Sequence, residues 1–198
     1  RNEGGRMALP DRSNGTSGIV AGTGAGVAAY VLGYLFTYLT QNGAVGEQLA
    51  GFNALADLFG GDPIPTWQAV GWLFYNGHFV DTRVPSLIGG DQMTNLISQA
   101  DGGTLSILFV VPPVLLVLAG VVAGRFAGGT DPTDGANNGA LVVVGYLPLA
   151  VLGAFLFRYS VGDGTVAPDV ITAVLLAGAV YPAAFGAIGG AAAMFVSD

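Results

Sequence analysis

The sequence has no cysteine, no lysine and only one histidine among its 198 residues. The missing cysteine excludes disulfides, iron–sulfur clusters, thiolate zinc sites and c-type haem attachment. The missing lysine excludes a retinal Schiff base, and with it a rhodopsin. A single histidine cannot supply two axial ligands to a haem. We therefore expect the chain to bind no cofactor and no metal.

Charged residues are scarce, and those present are mostly acidic. They make up 10% of the chain, against about 25% in a soluble domain, whereas 52% of the residues are apolar and the mean hydropathy is +0.62. The net charge of −7 disfavours binding to nucleic acid or to an anionic lipid surface. Concentrated salt screens such charge, because the Debye length falls to roughly 3 Å at 1 M. The composition is typical of a membrane protein from an extreme halophile.

Four apolar segments are longer than the core helices of soluble proteins. Residues 17–40 contain no charged side chain, and at about 1.5 Å per residue they span about 36 Å, against about 30 Å of hydrocarbon. We predict an all-α polytopic membrane protein, with a loose cytoplasmic tail at 1–16 and a single transmembrane domain at 17–198. The predicted spans are 17–40, 104–127, 138–160 and 168–196.

The segment between the first two spans, residues 41–103, is expected on the outer face with short helices of its own. Apolar residues of 45–59 fall on one helical stripe, with Glu47 and Asp57 on the other side. Residues 67–80 are uncharged but too few to cross the bilayer alone. We predict two helices, 45–59 and 67–80, and the second is either interfacial or re-entrant.

The distribution of arginine predicts the orientation. Four arginines lie at the ends that we expect to be cytoplasmic, and two lie at the outer ends. The cytoplasmic group is Arg1, Arg6, Arg12 and Arg125, and the outer group is Arg83 and Arg158. The chain is therefore predicted to be a multi-pass protein of the cytoplasmic membrane with both termini in the cytoplasm.

Glycines repeat every four residues in three of the predicted spans. The repeats are Gly18, Gly22 and Gly26 in the first span, Gly120 and Gly124 in the second, and Gly186 and Gly190 in the fourth. Such stripes allow close approach of helix backbones and favour association in lipid. The partner helix can belong to the same chain or to another. Besides membrane lipid, we therefore expect other membrane protein chains, or copies of this one, as partners.

Five polar residues in or near the spans are candidates for a functional role: Asn76, His78, Asp81, Arg83 and Arg158. Arg158, near the end of the third span, either serves function as an intramembrane charge or extends to the headgroups. Its expected partner is Asp163 or Asp81. His78 either moves protons or binds metal, or has a structural or headgroup-contacting role.

Two other features lie within the predicted spans. Asn137 and Asn138 are expected to cap the third span at its start. Tyr181-Pro182 predicts a kink in the fourth span. A kink of this kind either frees backbone carbonyls for ion binding or is an ordinary bend of a membrane helix.

Three stretches carry a resemblance to a known family: FGGDPIPTWQAVGWLFYNGHFV (59–80), VGYLPLAVLGAFLF (144–157) and PDVITAVLLAGAVYPAAFGAIGG (168–190). They resemble a haloarchaeal family of multi-pass membrane proteins that is defined by a domain of unknown function. The resemblance runs from about residue 20 to the C-terminus. It implies a location in an archaeal cytoplasmic membrane, and it implies no activity and no residue role.

The sequence contains no Walker loop, no H-E-x-x-H, no G-x-S-x-G and no kinase signature, so we expect no enzyme. Two classes of function remain. The first is an accessory or structural subunit of a haloarchaeal membrane assembly. The alternative is a small transporter or channel for an ion or small solute, with a path near Arg158, His78 and the prolines.

Overall fold

The structure is a computed structural model and describes residues 12–58, 61–86, 89–100, 104–128, 130–162 and 164–196. Four of its helices are long and apolar enough to cross a membrane: Thr16–Leu58, Leu105–Phe126, Pro132–Leu156 and Val170–Ala193. The predicted fold class, a helical protein with four membrane-length helices, is confirmed. A small sheet accompanies the helices, and the sequence did not predict it.

The elements follow the chain in this order. The helices are α1 (Arg12–Leu58), α2 (Thr66–Asn76), α3 (Leu96–Gln99), α4 (Val111–Phe126), α5 (Pro132–Ala140), α6 (Val142–Leu156), α7 (Val170–Thr172) and α8 (Tyr181–Ala193). A 3₁₀-helix at Thr104–Phe109 leads into α4, and a π-helix at Ala173–Val180 joins α7 to α8. The strands are β1 (Thr82–Pro85), β2 (Asp91–Thr94), β3 (Tyr159–Val161) and β4 (Gly164–Pro168).

Helix α1 is continuous over 47 residues, about 70 Å at 1.5 Å per residue. It begins at Arg12, inside the predicted tail at 1–16, and the prediction of a separate helix at 45–59 was wrong. Gly43 costs a helix about 1 kcal/mol relative to alanine. Tertiary hydrogen bonds later in the same helix offset this cost. The side-chain amide of Asn53 accepts the N–H of Ile64 at 2.8 Å and donates to its C=O at 3.2 Å.

The third span begins earlier than predicted, at Pro132. Its first helix is capped by Asp131, whose carboxylate accepts the backbone N–H groups of Thr133 and Asp134 at 2.8 and 2.9 Å. The prediction that Asn137 and Asn138 cap this span was therefore wrong, since both lie inside α5.

The four spans alternate in direction, so the two ends of the described chain lie at the same end of the bundle. Helix α4 packs against α8 and α5, and α1 packs against α6 and α4. At the end that holds both termini, Arg125 donates a hydrogen bond to the carbonyl of Val196 at 3.0 Å. We call the opposite end, with α2, α3 and the sheet, the outer end.

The sheet ties the 41–103 segment to the link between the third and fourth spans. Its strand order is β2-β1-β4-β3 and all its pairings are antiparallel. Strand β1 pairs with β4 through Thr82 with Pro168 and Arg83 with Ala167. Strands of three to five residues are too short to give a periodic pattern, which explains why the sequence did not predict them.

Helix α2 is re-entrant. It starts at the outer end and is buried from Gln68 to Asn76, and after a turn at Gly77–Val80 the chain returns to the outer end as β1. At its inner tip, His78 meets Tyr146, well inside α6. Residues 67–80 were predicted to be either interfacial or re-entrant, and their path into the bundle and back is the re-entrant one.

Candidate functional site

The buried polar residues of α2 form the most concentrated polar site inside the bundle. His78 lies at its centre and has 0% exposure. Its Nδ1 is 2.9 Å from the carbonyl oxygen of Phe74, and a carbonyl only accepts, so Nδ1 carries the proton. In the neutral ring Nε2 therefore accepts the hydroxyl proton of Tyr146, at 2.7 Å. The ring of Tyr181 lies 5.3 Å away, centroid to centroid.

Burial lowers the pKa of His78 from 6.5 to about 4, opposed by the hydrogen bond to the carbonyl of Phe74. The imidazole is thus neutral near pH 7. Both of its nitrogens already have partners, so a metal ion would have to displace Phe74 or Tyr146. In this arrangement the side chain joins α2 to α6.

Two tyrosines extend the site towards α1. The hydroxyl of Tyr75 donates to the carbonyl of Ala150, so the neighbouring hydroxyl of Tyr30 donates to Tyr75, at 3.1 Å. Gly153 makes room for them, because a Cβ there would lie 2.7 Å from the hydroxyl of Tyr75. Burial raises the pKa of Tyr75 far above its usual value, so its hydroxyl stays protonated. These bonds tie α1, α2 and α6 together.

Asn76 holds the return of the chain from the re-entrant tip. Its side-chain amide donates to the carbonyl of Val80 at 2.8 Å and to the hydroxyl of Thr82 at 3.1 Å. Its side-chain oxygen, Oδ1, accepts the N–H of Leu96 at 2.9 Å. Asn76 therefore connects the end of α2, the start of β1 and the start of α3.

Sequence reasoning missed two further residues of this site, Gln68 and Trp72. Gln68 donates to the carbonyls of Leu156 and Arg158 at 3.1 and 2.8 Å, and Trp72 donates to that of Phe157 at 2.7 Å. These carbonyls end the third span and have no partner within the helix. The available signal was the amide side chain of Gln68 in a largely apolar segment. Throughout the described residues, every buried side-chain nitrogen and oxygen has a hydrogen-bond partner.

The other three candidates lie apart from His78, at the outer rim. Arg83 is 3.5 Å from the carboxylate of Asp169 and 3.8 Å from that of Asp91. Asp81 contributes its backbone carbonyl, which accepts the N–H of Asp169 at 2.9 Å. Burial would raise the pKa of Asp169, but hydrogen bonds from Thr172 and the charge and hydrogen bond of Arg83 together lower it.

Arg158 is exposed, and its guanidinium carbon lies 5.5 Å from the centroid of the Phe155 ring. Within the described part of the chain it forms no ion pair. Of its two alternative predicted partners, Asp81 does not pair with it, and Asp163 lies outside the described residues, so the prediction of one or the other stays a prediction. Arg158 and Arg83 instead line one groove of about 260 Å³ at the outer end.

The glycine stripe of α1 lies against the third span. A Cβ added to Gly22 would be 2.6 Å from the Cβ of Leu141, and one added to Gly18 would be 2.9 Å from the side-chain oxygen of Asn138. At Gly26 an added Cβ would overlap the carbonyl oxygen of Val142. The absence of side chains here sets the separation between α1 and the third span.

The other glycines meet at one junction of three helices. Gly120 and Gly124 of α4 lie against Gly186 and Gly190 of α8. Two glycines of α5 face the same pair, and the sequence reading did not single them out although they too are four residues apart: Gly135 and Gly139. Each of the stripes is therefore in contact with helices of the same chain, and none is left open for a partner at these positions.

Comparison with known proteins identifies a family and no activity. Residues 7–197 match the family described as "Family of unknown function (DUF7978)". The matched region takes in all four membrane-length helices and the outer segment between the first two. No curated protein and no solved structure matches the chain.

Proposed function

We propose that the chain, which belongs to this family of unknown function (DUF7978), is a non-enzymatic integral membrane protein. In this proposal it serves as an accessory or structural subunit of a larger membrane assembly. The observation that carries the proposal is an apolar surface on the outer part of α1.

Helix α1 extends beyond the ends of the neighbouring spans. Tyr34 stacks on Phe157, just past the end of the third span, with ring centroids 5.1 Å apart. Leu105, where the second span begins, lines one groove with Leu49 of α1. Leu55 lies six residues beyond Leu49, about 9 Å further along the helix at 1.5 Å per residue. In this proposal the end of α1 projects from the bilayer.

This projecting part exposes large apolar side chains. Phe52, Leu55 and Leu58 are 45%, 58% and 79% exposed. Apolar side chains grouped on a surface outside the bilayer are typical of protein interaction sites. Earlier along the same helix, Val45 and Leu49 pack against the protein's own core. In the proposed role of an accessory subunit, a partner chain covers this exposed face.

The interior of the bundle supports a structural role over a conducting one. The space between the outer halves of α1 and α6 is occupied by α2, whose residues from Gln68 to Asn76 are all buried. The hydrogen-bonding groups of His78 and Tyr75 are engaged by neighbouring helices. Opening a path along α2 would break these bonds.

The surface chemistry supports a halophilic cytoplasmic membrane as the location. The exposed acidic residues of the outer end include Glu47, Asp57, Asp62 and Asp91, and the chain has no lysine. Such a surface is stable where salt screens the repulsion between carboxylates. The arginine distribution supports an orientation with both termini in the cytoplasm.

Affinity purification from native membranes in concentrated salt, with quantitative mass spectrometry, tests the subunit role. We expect the wild-type protein to co-purify at fixed stoichiometry with other membrane chains, and Leu55→Ser to lose them while it stays folded. Asp57→Ser is the matched control, because Asp57 is also exposed but lies about 200° further round the helix. Purification of the wild-type protein alone, or equal losses from both variants, would contradict the proposal.

One observation favours transport as the second candidate. The π-helix at Ala173–Val180 runs directly into Tyr181-Pro182, close to His78, and π-helical turns are frequent at functional sites. Conductance of the purified protein in planar bilayers distinguishes the two functions. A subunit without a path gives no current above that of the lipid, whereas a channel gives a current that His78→Gln alters.

A further inference from the structure

The groove that Arg83 and Arg158 share lies where the sheet meets the ends of the third and fourth spans. It has a volume of about 260 Å³ and is lined by Arg83, Asp91, Arg158, Val170 and residues of β4. The two arginines come from parts of the chain 75 residues apart, and the pairing of β4 with both β1 and β3 brings them together, since Arg158 directly precedes β3. The groove is thus a product of the fold.

The surroundings of the groove place it at the level of the lipid headgroups. Directly inward from it, Phe155, Leu156 and Ile171 are 50%, 61% and 70% exposed. Exposed apolar side chains at the ends of membrane-length helices face lipid, and the polar sheet lies on the other side. An arginine at such a boundary places its aliphatic stem along apolar surface and its charge at the headgroups.

We propose that this groove binds a phosphate group, with Arg158 as the principal ligand and Arg83 as the second. A guanidinium presents paired N–H donors in a plane that matches two phosphate oxygens. Arg83 is held only loosely by Asp91, at 3.8 Å between side chains that are 43% and 47% exposed. A phosphate oxygen replaces Asp91 at Arg83, while Asp169 continues to hold that side chain on its buried side.

The net charge of −7 does not conflict with such a site. It disfavours adsorption of the whole protein to an anionic surface, whereas a lipid beside the third span already lies in contact with the groove. The proposal requires the chain to lie in a membrane, and it does not depend on the role of an accessory subunit.

Native mass spectrometry of the protein released from lipid nanodiscs tests the site, with phosphatidylglycerol and a glycolipid that carries no phosphate offered in equal amounts. We expect the wild-type protein to retain phosphatidylglycerol preferentially, and Arg158→Gln to lower that retention about tenfold, because one charged hydrogen-bonding group is lost. Arg125→Gln is the matched control: Arg125 is also exposed at a span end, but it lies at the opposite end of the bundle.

Inorganic phosphate distinguishes the two sources of the ligand. If it displaces the retained lipid and protects the wild-type protein, but not Arg158→Gln, against unfolding, the site takes free phosphate. If it does neither, while the lipid preference depends on Arg158, the site takes a lipid headgroup. The proposal is overturned if the wild-type protein shows no preference between the lipids, or if Arg158→Gln and Arg125→Gln lose retention equally.

Discussion

The contact between His78 and Tyr146 is fixed on both sides of the imidazole ring. The carbonyl of Phe74 fixes the tautomer of the imidazole, so the hydroxyl of Tyr146 is the donor to Nε2. A buried acceptor that loses its donor costs about 1–3 kcal/mol, because it cannot turn to water instead. The role of His78 is therefore testable through its neighbour.

Replacing Tyr146 by phenylalanine keeps the ring and removes only the donor. We expect Tyr146→Phe to lower the free energy of unfolding in mixed micelles by about 2 kcal/mol. Tyr38→Phe is the control, since within the described residues the Tyr38 ring contacts Tyr34 and its hydroxyl forms no hydrogen bond. Equal stability of Tyr146→Phe and the wild-type protein would show that the Nε2 bond contributes nothing.

The lowered pKa of His78 predicts a loss of stability in acid. In the unfolded chain His78 titrates near 6.5, and in the folded protein at about 4. Between these values the unfolded state binds the additional proton, so the free energy of unfolding falls as the pH falls from 6.5 to 4, by on the order of 3 kcal/mol. Above pH 6.5 this contribution is fully present.

Unfolding titrations at intervals from pH 4 to 8 measure this slope. His78→Gln has no imidazole to titrate, so its stability should be nearly independent of pH between 4.5 and 6.5. Parallel curves for the two proteins would mean that His78 reaches water in the folded state, in contradiction to its complete burial.

At the scale of elements, the sequence predicted what composition and length determine. Runs of more than 20 apolar residues identify spans, and glycines four apart identify helix faces. The continuity of α1 through Gln41-Asn42-Gly43 could not be predicted, because tertiary contacts such as Asn53 with Ile64 decide it. The sheet could not be predicted either, since its pairing depends on residues far apart in sequence.

The residues of the candidate site could also be predicted only in part from the sequence. The sequence singled out His78 and Asn76, which the structure buries, but it grouped them with Arg83, which lies at the outer rim. His78 and Arg83 are only five positions apart in the sequence, yet the turn after α2 places His78 inside the bundle and Arg83 at the outer rim. Residue spacing alone does not reveal such a turn.

The packing of α1 on the third span gives a prediction with an internal control. Gly22→Leu adds four carbon atoms where a single Cβ already comes within 2.6 Å of Leu141, so we expect loss of at least about 3 kcal/mol or of the folded protein. Gly24→Leu introduces the same side chain two residues away, where an added Cβ meets nothing within 4 Å. Its stability in detergent should stay close to wild type.

Thermal unfolding followed by circular dichroism in detergent compares the two variants. If Gly22→Leu were as stable as Gly24→Leu, the close approach of α1 to α6 would not exist in solution. If both variants failed to fold, leucine itself would be the cause rather than the lack of space.

At the scale of the whole molecule, the even number of membrane-length helices determines that the ends of the described chain lie on one side. Which side this is depends on the membrane and not on the fold. The absence of cysteine makes the question simple to address, because each introduced cysteine is the only one.

We predict that the outer end faces away from the cytoplasm. In intact cells, cysteines at Asp62 and Asp91, both exposed, should react with a membrane-impermeant maleimide. A cysteine at Ala69, which is 5% exposed, should not. A reporter fused to the C-terminus should be active only in the cytoplasm. Protection of both exposed positions, together with an external reporter signal, would show the opposite orientation.

The glycine junction of α4, α5 and α8 does more than provide clearance. Where an added Cβ would overlap a carbonyl oxygen of the facing helix, the glycine itself directs a Cα hydrogen at that oxygen. The pairs Gly135 with Gly190 and Gly139 with Gly186 do this in both directions. Weak Cα–H···O bonds of this kind contribute about 0.5–1 kcal/mol each, and in lipid no water competes for the carbonyls. The residues that lack side chains thus form reciprocal bonds between backbones, and an alanine in their place removes a donor as well as the space.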